Sequence, residues 1–267
     1  EFKEQELLDW FATVQLQQLT KITEGIFAPW AFYKKDFQEI GGHDSLFAPQ
    51  SKEDTDIFNR FQLNGIKFIQ TWGGCVYHMT CRGSRFADGA QRNPDGQVFM
   101  KNRETDEWLN QNIISTRNFI RKWGHFCKHD KFMKPIIPPK YNIGIILRNG
   151  RLNHLEILEP WCDIIYHEKT LPGIDTPEDY VYREQQKTSY IMAQRVKCLE
   201  NITPDNDIII EIDGNNFNQT DYQHIQQFAE ILANDELEVG SFELGTMKII
   251  INKLQTYEKD LIICKEQ

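Results

Sequence analysis

Apolar residues recur along the chain with two spacings, and each spacing predicts one kind of element. Repeats of three and four residues, typical of amphipathic helices, occur over 4–20, 51–64, 108–123, 152–161 and 221–232. Short runs of branched and aromatic residues, typical of strands, occur at 66–72, 75–79, 141–147, 162–166, 207–212 and 241–251. Thr176-Pro177-Glu178-Asp179 predicts a further helix start. The pattern therefore predicts a mixed α/β chain.

A proline-rich segment separates two parts with different patterns. Residues 134–139 read KPIIPP, which is the composition of a linker. Beyond this segment, strands and helices alternate, as they do in α/β and α+β domains. We therefore predict two domains, residues 1–134 and residues 140–267.

The composition is that of a packed globular protein. Forty per cent of the residues are hydrophobic and 12% are aromatic. The longest aliphatic runs are far too short to cross a bilayer. The six cysteines follow no paired CxxC spacing, which favours reduced thiols and a cytoplasmic protein.

The net charge of −9 is unevenly distributed. Residues 81–140 carry 12 Lys/Arg against 6 Asp/Glu, whereas residues 141–267 carry 11 against 22. A basic middle predicts that anions, if bound, are bound near residues 81–140; the plainer interpretation is a solvated basic surface. One alternative function uses this segment, with Trp108 and Trp123, as a nucleic-acid-binding module.

Candidate chemistry is concentrated in residues 25–85. Gly41-Gly42 predicts a tight turn. Ser51-x-x-Asp54 is similar to a capping box, so Glu53 and Asp54 are expected at a helix N-terminus, where the helix dipole stabilises their charge. His78 falls near the end of a predicted strand. The structural alternatives are simple helix capping for the two carboxylates and a satisfied structural role for His78.

The order of motifs in this stretch resembles a known family. The motifs are Lys35-Asp36-Phe37, Ile40-Gly41-Gly42-His43-Asp44, Glu53-Asp54-Thr55-Asp56 with Arg60, Gly65, and Val76-Tyr77-His78. In this order and spacing they resemble the C-terminal part of the catalytic domain of glycosyltransferase family 2, the inverting enzymes with the GT-A fold. The match covers roughly a quarter of the chain, and Ser45 stands where the family often has Glu.

The resemblance implies a fold and an activity. The fold would be a partial, Rossmann-like GT-A domain without its N-terminal nucleotide-binding half, followed by a smaller α/β or α+β domain. The activity would be transfer of a sugar from a nucleotide-sugar donor to a glycan or other hydroxyl acceptor, with inversion. The resemblance does not imply a nucleic-acid partner.

The resemblance also implies roles for particular residues. Asp54 would be the general base, and Glu53 would orient the acceptor or the helix start. His78 would complete the coordination shell of Mg²⁺ or Mn²⁺, and Arg82 and Arg85 would reach the diphosphate. Substrate contacts would come from Trp30, Gly42 and Asp44, with Trp72 as a second stacking candidate.

The family's nucleotide-binding half, with its D-x-D metal motif, does not precede Glu1 in this sequence. The D-x-D triplets here are Asp54-Thr55-Asp56 and Asp205-Asn206-Asp207. We therefore interpret the chain as a fragment with an upstream portion outside it. We expect that residues 1–267 alone do not transfer sugar and bind UDP- or GDP-sugars no tighter than about millimolar.

A second alternative function is a glycoside hydrolase or carbohydrate-binding module that uses Glu53 and Asp54. Adjacent residues at a helix start seldom face each other across a sugar at the roughly 5 to 9 Å that such hydrolases need. The nucleic-acid alternative would show strongly salt-dependent binding to generic DNA or RNA.

Overall fold

The computed structural model describes residues 3–74, 76, 90–92, 98–100, 106–172, 175–234 and 238–264. The helices are α1 (Glu4–Trp10), α2 (Leu16–Gln18), α3 (Lys34–Glu39), α4 (Glu53–Leu63), α5 (Asp106–Trp123), α6 (Leu152–Leu158), α7 (Pro177–Gln185), α8 (Met192–Arg195), α9 (Gln219–Gln226) and α10 (Phe228–Asn234). A π-helical turn, Phe11–Gln15, joins α1 to α2. Single 3₁₀ turns cover Ser45–Phe47, Glu159–Trp161, Leu199–Asn201 and Glu258–Leu261.

The strands are short in the first part of the chain and longer in the second. They are β1 (Ile22–Thr23), β2 (Gln70–Thr71), β3 (Ala90–Arg92), β4 (Val98–Met100), β5 (Ile143–Arg148), β6 (Ile164–His167), β7 (Val196–Cys198), β8 (Ile208–Asp213), β9 (Gly240–Leu244) and β10 (Met247–Ile251).

The main sheet has six strands in the order β7-β6-β5-β8-β10-β9. The first four are mutually parallel, and β10 runs antiparallel to both β8 and β9. Its strands are rich in isoleucine because the central ones are covered on both faces. This mostly parallel sheet confirms the predicted α/β class, and it lies entirely between residues 143 and 251.

The helices of the second half pack on one face of this sheet. Along β5, Ile143, Ile145 and Leu147 belong to the main hydrophobic core, whereas Ile146 belongs to a small cluster on the opposite face. This split follows from the alternation of side chains along a strand. Helices α5 to α10 all contribute side chains to the main core; they include Ile120, Leu155, Tyr180, Met192, Ile225 and Phe228.

The first half is mainly helical around two smaller cores. One joins Ile40 to Ile57, Phe58 and Phe61 of α4. The other joins Leu46 and Phe47 to Phe119 and Trp123 of α5. Helix α5 therefore contributes to cores in both halves of the chain.

Three local predictions were wrong. Of the predicted strand 66–72, Gln70–Thr71 alone is a strand, because its partner β1 is itself two residues long. Ser51 does not cap α4, because its hydroxyl donates to Asn112 and Lys52 occupies the N-cap position. The predicted helix 221–232 is two helices that meet at Gln227. The predicted strand 75–79 lies almost entirely outside the described residues.

Contacts cross the predicted division between the two halves. Residues 257–264 return to the first half, where the Cys264 N–H donates to the Ile40 carbonyl. Ile262 packs on the core around Ile40, and Leu261 packs on the core around Trp123. Segment 134–139 is itself packed, since Pro135 and Pro138 are buried and Ile137 contacts the Trp123 core. Of the helices that are described, none combines the length and the apolar character needed to cross a membrane.

Candidate functional site

The start of α4 is held in a strained conformation. Ser51 and Lys52 have φ values of 80° and 74°, a left-handed region that residues with a Cβ rarely adopt. The turn is fixed from α5: the Ser51 hydroxyl donates to Asn112 Oδ1 at 2.6 Å, and the Ser115 hydroxyl donates to the Gln50 carbonyl at 2.9 Å. Strain of about 1–3 kcal/mol per residue persists only where the surroundings impose it, and it clusters at functional sites.

Asp56, the third acidic residue of the triplet, is a buried structural group. Its carboxylate accepts from Arg60 Nε at 2.9 Å and from the Trp123 indole N–H at 3.0 Å. Lys122 Nζ lies 2.7 Å from Asp56 Oδ1. Arg60 also donates to the Ile40 carbonyl. Asp56 therefore ties α4 to α5 and is not available to a substrate.

Asp54 and Glu53 differ from Asp56 in their surroundings. Asp54 is exposed, and no described residue donates a hydrogen bond to its carboxylate. Glu53 is half-buried, and its Oε2 atom is buried without a hydrogen-bond partner in the described part of the chain. The turn thus presents one carboxylate to solvent with a second beside it.

Asp44 is engaged inside the protein. Its Oδ1 accepts from the Leu46 N–H at 2.9 Å, and its Oδ2 lies 2.7 Å from Lys122 Nζ. Little of this carboxylate is left for the predicted contact with a substrate. Gly42, the neighbouring candidate, has φ of +74° and completes the glycine turn.

One acidic cluster among the described residues has the spacing of a metal site. It consists of Asp44, Asp56 and Cys264, with one potential ligand atom from each within 4.8 Å of the others. The Lys122 ammonium already pairs with both carboxylates. Mg²⁺ and Mn²⁺ need oxygen ligands that are free to coordinate. The cluster does not fit the predicted ion, and we derive no step through a metal.

Trp30 lies in the wall of a large cavity of about 1070 Å³. It stacks on Phe32 with the ring centroids 4.8 Å apart and contacts Phe58 edge-on at 5.3 Å. Trp72 also lines the cavity, but Lys21 Nζ lies 3.8 Å from the centroid of its ring. The remaining wall is mostly apolar, with charged side chains from Asp36, Lys67 and Lys131 and polar ones from Gln70 and Thr71.

The structure does not bring Trp30 and Asp54 together. The cavity reaches α4 at Phe61, eight residues after Glu53, which corresponds to about 12 Å along the helix. Neither Glu53 nor Asp54 is among the described residues that line it. Any acceptor that touches both places must extend along α4.

The three remaining predicted site residues, His78, Arg82 and Arg85, lie outside the described residues. Their predicted roles in metal and diphosphate binding stay predictions.

Most Lys and Arg side chains in the described part of the basic segment form ion pairs within the protein. Six of the seven Lys and Arg residues between 106 and 140 pair with carboxylates. They are Arg117, Arg121, Lys122, Lys128, Lys134 and Lys140. Trp123 is fully buried. These residues therefore give no support to the nucleic-acid alternative.

Sequence reasoning missed a second, smaller cavity at the edge of the main sheet, next to His167 and Cys198. The predicted strand 162–166 stops before His167 and no strand was predicted at 196–198, so the pairing of these two residues became visible only in the sheet.

The described residues thus define an α/β protein with a mostly parallel sheet and an acidic, strained helix start. The chain matches no protein-family model, no curated protein and no solved structure.

Proposed function

We propose that this chain takes part in glycosyl transfer with inversion, from a nucleotide-sugar donor to a hydroxyl acceptor, with Asp54 as the general base. The observation that carries the proposal is the division of labour in the acidic triplet. The carboxylate of Asp56 is paired with Lys122 and Arg60 and is buried. Asp54, in contrast, is exposed next to a turn whose conformation is held by contacts with α5. The motif resemblance supplies the reaction.

The proposed chemistry needs one well-placed carboxylate on the acceptor side. Asp54 accepts the proton of the acceptor hydroxyl as that oxygen forms a bond to the anomeric carbon. The bond from the anomeric carbon to the nucleoside diphosphate breaks on the opposite face, and the diphosphate leaves with the electron pair. The strained turn limits the positions that Asp54 can adopt, which supports orientation of the reacting groups.

Glu53 and Trp30 have supporting roles in this proposal. The unpartnered Oε2 atom of Glu53 is an acceptor beside Asp54 and suits a second hydroxyl of the same sugar. Trp30, in the cavity wall at the other end of α4, suits the apolar face of a more distant sugar unit. A divalent cation, His78, Arg82 and Arg85 remain proposed on the donor side.

The test is an Asp54→Asn variant of the protein, assayed by UDP or GDP release from UDP-glucose, UDP-N-acetylglucosamine and GDP-mannose with Mn²⁺. Loss of the base should lower turnover by about two to four orders of magnitude and leave the unfolding midpoint unchanged. Asp260→Asn, an exposed carboxylate in the last 3₁₀ turn, is the matched control. Because residues 1–267 alone are not expected to transfer sugar, all variants are assayed in the full-length protein. Turnover of Asp54→Asn within threefold of the full-length parent, or no release from any donor by that parent, would contradict the proposal.

A further inference from the structure

The second cavity has the size and place of a small-molecule site. Its volume is about 410 Å³, within the roughly 300–1,000 Å³ of ligand pockets. It opens between α7 and the ends of β6 and β7, where the lining residues are His167, Pro177, Glu178, Val181, Tyr182, Gln185, Gln186, Ala193, Val196 and Cys198. His167 and Cys198 are the last residues of their strands, so the cavity lies at the carboxyl edge of the parallel sheet. Ligands of open α/β sheets bind at this edge.

Two polar side chains replace core residues at the base of the cavity. His167 and Cys198 are directly opposite each other in the β6–β7 ladder, so both point to the same face. Two residues earlier, the same positions are Ile165 and Val196, which belong to the main core. The apolar layer therefore ends in an imidazole and a thiol where the cavity begins.

The orientation of the His167 ring leaves one nitrogen free. The residue is only 4% exposed, and Nδ1 lies 2.7 Å from the Glu168 carbonyl oxygen. Because a carbonyl can only accept, Nδ1 is the donor in this contact, and Nε2 of the neutral imidazole is then the nitrogen with a lone pair. No described residue donates a hydrogen bond to Nε2, and His167 lines the cavity. An acceptor on a residue that lines a cavity can stabilise a ligand that brings a donor.

The other walls restrict the class of ligand. Val181, Val196 and Pro177 provide apolar surface, and Tyr182 offers an aromatic face that is 73% exposed. The described residues around the cavity include no Lys or Arg, and Glu178 adds a negative charge. This disfavours a phosphate inside the cavity. The group of His167, Cys198 and Glu178 is not among the described clusters with metal-ligand spacing, which disfavours a metal ion.

We propose that this cavity binds the base of a neutral nucleoside, a flat heteroaromatic ring with an N–H donor. The ring lies between the valines and Tyr182, and its N–H donates to His167 Nε2. The proposal does not depend on the proposed function, because it concerns a different surface and requires no reaction.

The experiment titrates the protein with adenosine, cytidine and uridine and with their 5′-monophosphates by calorimetry, while histidine ¹⁵N resonances are followed by NMR. At least one nucleoside should bind with a millimolar or lower Kd and shift the His167 Nε2 resonance. The monophosphate should bind no tighter than its nucleoside. Tyr182→Ala, on an exposed side chain, and His167→Phe should each weaken binding at least tenfold, whereas His129→Asn, at an exposed histidine, should not.

Three results would overturn the proposal. They are no binding of any nucleoside up to about 10 millimolar, a weak affinity even for a small ligand, a monophosphate at least tenfold tighter than its nucleoside, or unchanged binding by a folded Tyr182→Ala protein. The last comparison stays decisive if His167→Phe fails to fold.

Discussion

Asp54 and Asp56 are separated by a single residue, and yet one is exposed and the other fully buried. On a helix, two positions two residues apart point in widely different directions. Besides the nearby Arg60, the partners of Asp56 are Lys122 and Trp123 of α5, more than sixty residues later in the chain. At the level of the residue, contacts with α5 therefore make Asp56 a structural carboxylate and leave Asp54 as the candidate base.

Asp56→Asn should destabilise the protein. The change leaves the buried Arg60 guanidinium without its counter-charge, and breaking a buried pair on one side costs about 3–5 kcal/mol. Urea unfolding of the variant beside Asp54→Asn would measure the difference. Equal stability of the two variants would show that Asp56 does not hold α4 to α5.

His125 should make stability fall as the pH is lowered. Burial lowers the pKa of its imidazole to about 4 from an ordinary value of 6.5, and its Nε2 has no partner among the described residues. The unfolded chain therefore takes up a proton first, and stability is lost as the pH falls from 6.5 towards 4. The loss is roughly 3–4 kcal/mol at its limit.

Unfolding midpoints of the parent and of His125→Phe between pH 7 and pH 4.5 would check this dependence. The variant should show a shallower fall with pH, because its phenyl ring takes up no proton. Parallel curves would assign the acid sensitivity to other groups.

The sequence predicted which residue types gather near residues 25–85, but it could not assign their partners. Glu53 and Asp54 were expected at a helix start, and that placement is confirmed. The engagement of Asp44 by Lys122 depends on residues 78 positions apart. Local spacing carries no information on such a contact, and the roles of Asp54, Trp30 and Gly42 stay predictions.

At the level of the element, helix α5 shows how a buried face can be polar. Arg121 lies 2.6 Å from both Glu159 and Glu184, and Arg195 Nε lies 2.7 Å from Glu159. The neighbouring guanidinium groups hold the pKa of Glu159 well below its usual range, against the opposing effect of burial. The network joins α5 to the 3₁₀ turn after α6 and to α7.

Glu159→Gln should cost about 3–5 kcal/mol of stability, since it leaves Arg121 and Arg195 buried with less negative charge than positive. Glu156→Gln is the matched control, because its pair with Arg183 is half exposed on both sides and is worth at most about 1 kcal/mol. Chemical denaturation of both variants tests the contrast. A similar small loss for both would mean that the network contributes no more than a surface pair.

Elements with a strong local pattern were predicted well. Helix α5, strands β5 and β8 and the capped start of α7 follow from apolar period and from Thr176-Pro177. The errors occur where tertiary contacts outweigh the pattern. Ser51 bonds to Asn112 instead of capping α4, and the short strand β1 leaves most of 66–72 without a pairing partner.

On the scale of the whole molecule, residues 257–264 return to pack against the first half of the chain. Gly41 meets this segment directly: a Cβ added there would lie 2.9 Å from the Cys264 backbone nitrogen, at a φ of +80°. Gly65 has a nearly identical φ of +78° with no atom within 4 Å of an added Cβ. Comparing the same substitution at the two glycines therefore distinguishes the effect of backbone strain from the effect of losing the contact with Cys264.

Gly41→Ala should destabilise the protein by about 1–2 kcal/mol more than Gly65→Ala, because both variants carry the left-handed strain but one also displaces Cys264. Amide hydrogen exchange at Cys264 should rise in Gly41→Ala alone. Equal effects of the two changes would show that the contact between Ile40 and Cys264 adds nothing to stability.

The return of residues 257–264 also sets an order of events during synthesis. A ribosome completes α4 and the Gly41 turn long before it reaches Ile262, and domains usually fold in the order in which they emerge. Here Ile262 completes the packing around Ile40, and it is made only after all the strands of the main sheet. The nascent first half therefore waits with apolar surface exposed, and we expect it to be a substrate for chaperones until residue 264 has left the exit tunnel.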